Sequence, residues 1–180
     1  MIICGRRFNI YLASALVMFV ALGCQSPETK KKKEEAVFRA HIETNPDASD
    51  RVKAIPIYRA HPILVNIDSS PVLNETMIAD AQVVDTIGGF SLSIQLDRKG
   101  TWLLEQLSNE SRGKRLAIFC QFATPTGNGG TDGRWLAAPL LLKRISDGVI
   151  VFTPDATREE ADQIALGLRN TAKHYENDQK

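Results

Sequence analysis

The sequence predicts an α+β fold: a mainly antiparallel sheet with two helices packed on one face, preceded by a signal peptide and a flexible tether. Three stretches carry that prediction. Residues 79–87 and 90–97 read as the two arms of a β-hairpin across Gly88-Gly89, and the second arm alternates cleanly. In the second arm Phe90, Leu92, Ile94 and Leu96 face one way and Ser91, Ser93, Gln95 and Asp97 the other. Residues 148–170 read as strand, turn and helix. Gly148–Phe152 is apolar and rich in β-branched residues, Pro154 breaks it, and Thr157 with Glu160 makes a capping-box pattern. Ala161, Ile164, Ala165 and Leu168 then recur at helical spacing. Finally, the first 24 residues differ in composition from everything after them.

That leading segment reads as an address. Arg6 and Arg7 stand in a start without acids, residues 10–22 form a 13-residue apolar run, and Gly23-Cys24 follows. The run is short for a membrane span, which needs about 20 apolar residues. Ala21-Leu22-Gly23-Cys24 resembles a bacterial lipobox, in which the cysteine thiol is diacylated and becomes the new N-terminus. Two acyl chains give stable attachment, at about 0.8 kcal/mol per buried methylene. A plain signal peptide with an unmodified Cys24, or an uncleaved anchor, is the alternative. Gln25, rather than Asp, after the cysteine favours the outer over the inner membrane. Residues 25–35 hold no aliphatic or aromatic side chain and read as a tether, with Lys30–Lys33 either solvated or near anionic head groups. The expected organisation is a signal peptide at 1–23, lipidated Cys24 and linker at 24–35, an N-terminal β-hairpin extension at 36–62, a main domain at 63–170 and a polar tail at 171–180.

In chain order, Phe38, Ala40 and Ile42 alternate with polar residues as in a half-buried strand. Asn45-Pro46-Asp47 is a turn, and residues 52–58 are the expected returning strand, with Pro56 pointing to an edge position. Residues 63–67 make another strand. The hairpin 79–97 follows, then a helix over about residues 98–109 with Leu103, Leu104 and Leu107 inward, and Gly113 in the turn beyond. Residues 115–122 form a strand whose inner face is Leu116, Ile118, Cys120 and Phe122. Residues 123–134, with glycines at 127, 129, 130 and 133, read as a loop. Residues 136–142 and 148–152 supply the last strands.

The chemistry-bearing residues are sparse. Formal net charge is +1 for the 180 residues. After residue 23 there are 20 basic against 21 acidic side chains, which argues against a nucleic-acid partner. His41, His61 and His174 lack ligand spacing, so neither a metal nor a cofactor is expected. Cys120 reads as a small buried hydrophobe rather than a nucleophile. Asp155, Glu159, Glu160 and Asp162 cluster where acids favour a helix N-terminus. The glycine-rich loop is not a phosphate loop, because no Lys-Ser/Thr follows it.

From about residue 63 to residue 170 the chain resembles the head subdomain of the first periplasmic domain of SecD, the protein-export accessory subunit. The resemblance rests on Leu96-Asp97 with Gly100, Gly113-Lys114-Arg115-Leu116-Ala117-Ile118-Phe119, Ala138-Pro139, Ile145 with Gly148, and Phe152-Thr153, Glu160-Ala161 and Leu168-Arg169. It implies the α+β head fold and an envelope location. Three departures stand out: the long 123–134 loop in place of a short turn, Ile150-Val151 at small-residue positions, and Asn170 at a helix-closing glycine. The family's six membrane-spanning helices have no counterpart after Cys24. The chain is therefore expected to be a non-catalytic binding module, anchored to the membrane through Cys24, with a protein or polypeptide partner. The expected contact loop is centred on Asn128 and closed by Trp135, which serves either as an interface anchor or as a core cap. A tether without a specific ligand and an envelope hydrolase are the alternatives.

Overall fold

The computed structural model describes residues 34–46, 50–125 and 130–178. Cys24, the tether before Glu34 and Asn128 lie outside the described residues.

Strand β1 (Val37–Ile42) lies between β4 (Leu73–Asn74) and β7 (Leu116–Ala123), and β7 pairs onward with β8 (Thr131–Ala137). Strands β2 (Val52–Ile57) and β3 (Ile63–Asp68) form a separate two-stranded ladder. Strand β5 (Ile78–Thr86) pairs with β6 (Gly89–Leu96), which pairs with β9 (Val149–Phe152). All these pairings are antiparallel. Helix α1 (Arg98–Glu110) follows β6, and helix α2 (Arg158–Asp178) follows β9. The α+β class thus holds, with two α-helices and three ladders among the described residues.

The expected hairpin over residues 36–62 does not form. β1 pairs with β7, Phe38 opposite Cys120 and Ile42 opposite Leu116, whereas β2 pairs with β3, Val52 opposite Asp68. The reason lies in where each apolar face goes. Phe38 and Ala40 are fully buried in the main core, between the sheets and the helices. Ile55 and Ile57 join Val65, Ile67, Ala117 and Ala138 in a second cluster. Ala117 and Ile118 are neighbours on β7 and belong to different clusters, as strand alternation requires. The β2–β3 hairpin therefore covers the opposite face of the central sheet. Pro56 is exposed on that ladder, as an edge position allows.

The other hairpin forms as read, with its turn at Ile87-Gly88 rather than Gly88-Gly89. Gly88 takes φ +90°, and Gly89 is already paired with Thr86. Helix α1 starts at Asp97, whose carboxylate accepts the Gly100 amide at 2.6 Å. Leu104 is fully buried, and Leu103 and Leu107 pack partly buried against the core.

Helix α2 opens on the expected capping box. Glu160 Oε2 accepts the Thr157 amide at 2.8 Å, and Thr157 Oγ1 accepts the Glu160 amide at 3.2 Å. Its stripe, Ala161, Ile164, Ala165 and Leu168, is buried. The helix does not end at Asn170; it continues to Asp178, with Thr171 and Ala172 buried. The Thr171 hydroxyl accepts the Ala36 amide at 3.1 Å and lies within hydrogen-bond distance of the Ala36 and Gly167 carbonyls. Asn170 Nδ2 donates to the Glu34 carbonyl at 2.8 Å. These bonds latch the first described residues onto the second half of α2.

Candidate functional site

The glycine-rich connection is shorter than its composition implies. β7 runs through Ala123, β8 begins at Thr131, and the Thr124 amide donates to Gly130 O at 2.9 Å across the ends. Gly133 and Arg134, expected in the loop, are inside the ladder opposite Gln121 and Cys120. Gly133 is a packing glycine: a Cβ there would sit 3.2 Å from Phe119 Cζ. Likewise β8 stops at Ala137, before Pro139, and does not extend to residue 142.

Trp135 is half-buried at the base of this hairpin. Its ring meets Phe119 edge-on at 5.4 Å and His41 at 5.3 Å, against the second cluster. Of its two readings, this is the core-cap arrangement. His41 Nδ1–H donates to the Asp68 carbonyl at 2.8 Å. Burial, aided by Arg39, pulls the His41 pKa below its ordinary value despite that bond and the Asp68 charge, which act the other way. The imidazole therefore stays neutral at pH 7.

A charged junction joins β8 to the start of α2, and sequence reading missed it. Arg134, 14% exposed, pairs with Asp132 and Glu160 and lies over the Phe122 ring at 5.2 Å. Next to it, Asp155 accepts the Arg59 amide at 2.8 Å and its Nε at 3.2 Å. Burial alone would raise Asp155; the Arg59 bonds, helped by Arg134, outweigh it and hold the carboxyl below its ordinary value. Burial opposes in the same way at Glu160, and the Thr157 amide and Arg134 prevail. Both folded values are depressed, so their contribution to stability is present above the ordinary carboxylate range. It is lost as pH falls through the depressed values. The one cue in the sequence was an arginine inside a glycine-rich stretch.

The acidic cluster thus divides into capping and ion-pairing roles, with Asp162 3.7 Å from Arg158. Glu160→Ala removes the cap acceptor, worth about 1 kcal/mol, and leaves the mostly buried Arg134 guanidinium with Asp132 alone, for a total loss of about 2–3 kcal/mol. Glu160→Gln keeps an acceptor and should cost about half as much. Thermal melting of the two variants checks this, and an alanine variant as stable as the parent would contradict it.

The remaining titratable groups do not converge. Cys120 is fully buried, and burial pushes its thiol far up. His61 is exposed, and His174 Nδ1 is 2.8 Å from Glu35. No group of three metal-ligating side chains occurs among the described residues. No helix among them is long and apolar enough to cross a membrane.

Comparison with known proteins settles the family. The model of the SecDF P1 head subdomain matches residues 52–172. The chain belongs to the SecDF P1 head family. Protein translocase subunit SecDF of Thermus thermophilus is 33% identical over 101 residues, which are 56% of this chain and 12% of that protein. Two solved SecDF structures share the fold at 22% identity. One, described as a membrane component that enhances protein export, has a TM-score of 0.54 and covers 83% of this chain and 71% of that one. The other, SecDF in a super-membrane-facing form, has a TM-score of 0.53 and covers 81% and 21%. The family match begins at Val52, so it takes in the β2–β3 hairpin, and it ends at Ala172, past Asn170. β1 lies outside the match, yet it sits in the central ladder between β4 and β7.

Proposed function

We propose that this chain is a lipid-anchored envelope protein whose SecDF-type head faces the periplasm and contacts a protein partner or an exported polypeptide without catalysis. The observation that supports this most is the family match over residues 52–172. The relative's printed role as a protein translocase subunit is the ground for an export-linked partner. The address in residues 1–24 supplies the anchor at Cys24, with the outer membrane favoured by Gln25. Residues 24–35 act as lipidated cysteine and tether, and the latch onto Thr171 holds the chain where the fold begins at Ala36.

Two surfaces suit an extended polypeptide. β9 pairs only with β6 among the named ladders, and Val151 on it is 55% exposed, which offers an edge for strand addition. The connection 124–130, which contains Asn128, is the other candidate, and Trp135 packs four residues beyond the start of β8. The packed position of Trp135 also favours a second reading, in which this end is structural and the chain is a tether or scaffold.

Mass spectrometry of the protein from membranes tests the anchor. The expected N-terminus is Cys24 carrying a diacylglyceryl mass; an unmodified Cys24 would refute it. Serine at Gly127, Gly129 and Gly130 with Asn128→Ala tests the loop, leaving Gly133 intact because Phe119 packs on it. Loss of envelope contacts is expected, and contacts that all persist would remove the loop from the account.

A further inference from the structure

The second half of α1 and the turn after it pack beside the segment that follows β8, with the Ile145 amide donating to Ser108 Oγ at 2.9 Å. Beyond α1 the chain turns at Gly113, with φ +79°, and runs beside residues 139–142. The Gly113 amide donates to Leu141 O and the Leu141 amide to Lys114 O, both at 2.9 Å, and Arg115 bridges Leu140. Leu141 is buried by this arrangement. Its neighbours Leu140 and Leu142 remain 44% and 72% exposed. Arg112, Lys114, Lys143 and Arg144 are exposed on the same two segments. Trp102, 62% exposed, and Arg144 line one depression of about 490 Å³ together with Glu105, Gln106 and Asn109.

The local charge is not a reflection of a basic chain, since net charge is +1 overall. Of the nearby acids, one is paired with a cation, and two accept only from neutral donors and keep their charge. Glu105 pairs with Arg144, Glu110 accepts from Gln106 Nε2 at 3.0 Å, and Asp147 accepts the Val149 amide at 3.1 Å. Arg112, Lys114 and Lys143 have no ion-pair partner among the described residues. Of the seven large exposed hydrophobics among those residues, Leu140 and Leu142 flank the buried Leu141, and Trp102 shares its depression with Arg144.

We propose that this rim is a docking surface for the anionic phospholipid head groups of the membrane that holds the chain. A solvated charged face gives no reason for leucines and a tryptophan to be exposed among its cations. At a lipid surface the two kinds of residue act together. Each Lys or Arg near an anionic leaflet strengthens binding roughly fivefold, while Trp and Leu enter the interfacial layer. Head groups are laterally mobile and arrange themselves around spaced cations. A tether raises the effective concentration of the surface, so a weak patch suffices. The proposal rests on the anchored envelope reading only for which membrane is met; its residues are independent of Cys24.

The test uses the full chain with Trp135→Phe, which leaves Trp102 as the sole tryptophan of the two in the sequence. The protein is reconstituted in brominated phosphatidylcholine vesicles, with or without phosphatidylglycerol. Severalfold stronger quenching of Trp102 is expected with the anionic lipid. It should be lost at high salt and in the variant R112E/K114E/K143E/R144E. Equal quenching in both vesicle types overturns the proposal. So does its absence in both, the result expected of a surface that binds an acidic protein instead. If Trp135→Phe unfolds the chain, total tryptophan quenching of the parent protein in the same vesicles and salt series decides the question. The lipid mass on Cys24 is measured separately, so a failed anchor and a failed docking surface are told apart.

Discussion

Phe122→Ala is expected to destabilise the fold by about 3–5 kcal/mol, the range for a large aromatic removed from a close-packed interior. Phe122 is 1% exposed on the inner face of β7, among the largest fully buried side chains. It has a second role, because Arg134 lies over its ring while bridging Asp132 to Glu160. Truncation therefore opens a cavity and loosens the guanidinium that joins β8 to the start of α2. A domain of this size is stable by about 5–15 kcal/mol, so the loss is a large share of the total. Urea denaturation reads it as a lower midpoint at unchanged slope. A shift worth under about 1 kcal/mol would mean that the site collapses around the cavity and that the junction stands without its ring.

Gly148→Val is the second large effect, of about 2–5 kcal/mol. Gly148 has φ +70°, where an L side chain costs about 1–2 kcal/mol. A Cβ there would lie 2.1 Å from Thr101 Oγ1, 2.9 Å from its Cβ and 3.0 Å from its Cγ2. Turning the threonine about χ1 cannot clear its own Cβ, so α1 must move, and such overpacking costs about 1–3 kcal/mol more. The shift would also pull on the Leu96 amide, which donates to Gly148 O at 2.9 Å. Gly89→Ala is the control: nothing lies within 4 Å of its Cβ position, and a change within about 0.5 kcal/mol is expected. Equal melting temperatures for the two variants would contradict the close approach of Gly148 to Thr101.

What the sequence made legible follows from what is local. The capping box Thr157/Glu160, the inner face of β7 with Cys120, and the alternation of β6 are set by neighbours within a few residues, and all three are found. The partner of β1 is not local: Val37 pairs with Gln121, and alternation alone does not say which strand it meets. An apparent hairpin over 36–62 was the nearest-neighbour answer, and burial in two different clusters overrides it. Gly133 looked like loop composition but is strand, because its missing Cβ admits Phe119. The polar tail expected at 171–180 is helix as far as Asp178, because the Thr171 hydroxyl is bonded to the distant Ala36 backbone. At the candidate site, Trp135 had two readings that only tertiary contacts separate. The Arg59–Asp155 contact spans the chain and leaves no local pattern at all.

The central claim, a SecDF-type head that meets an export-linked partner, is tested most directly by photo-crosslinking in the native cell. The probe belongs at Asn128, because Trp135 is packed against His41 and Phe119. The account predicts adducts with one dominant envelope protein or with a set of exported polypeptides. No adduct at normal protein levels, with a second probe on the β9 edge at Val151 equally silent, would contradict it and leave the scaffold reading.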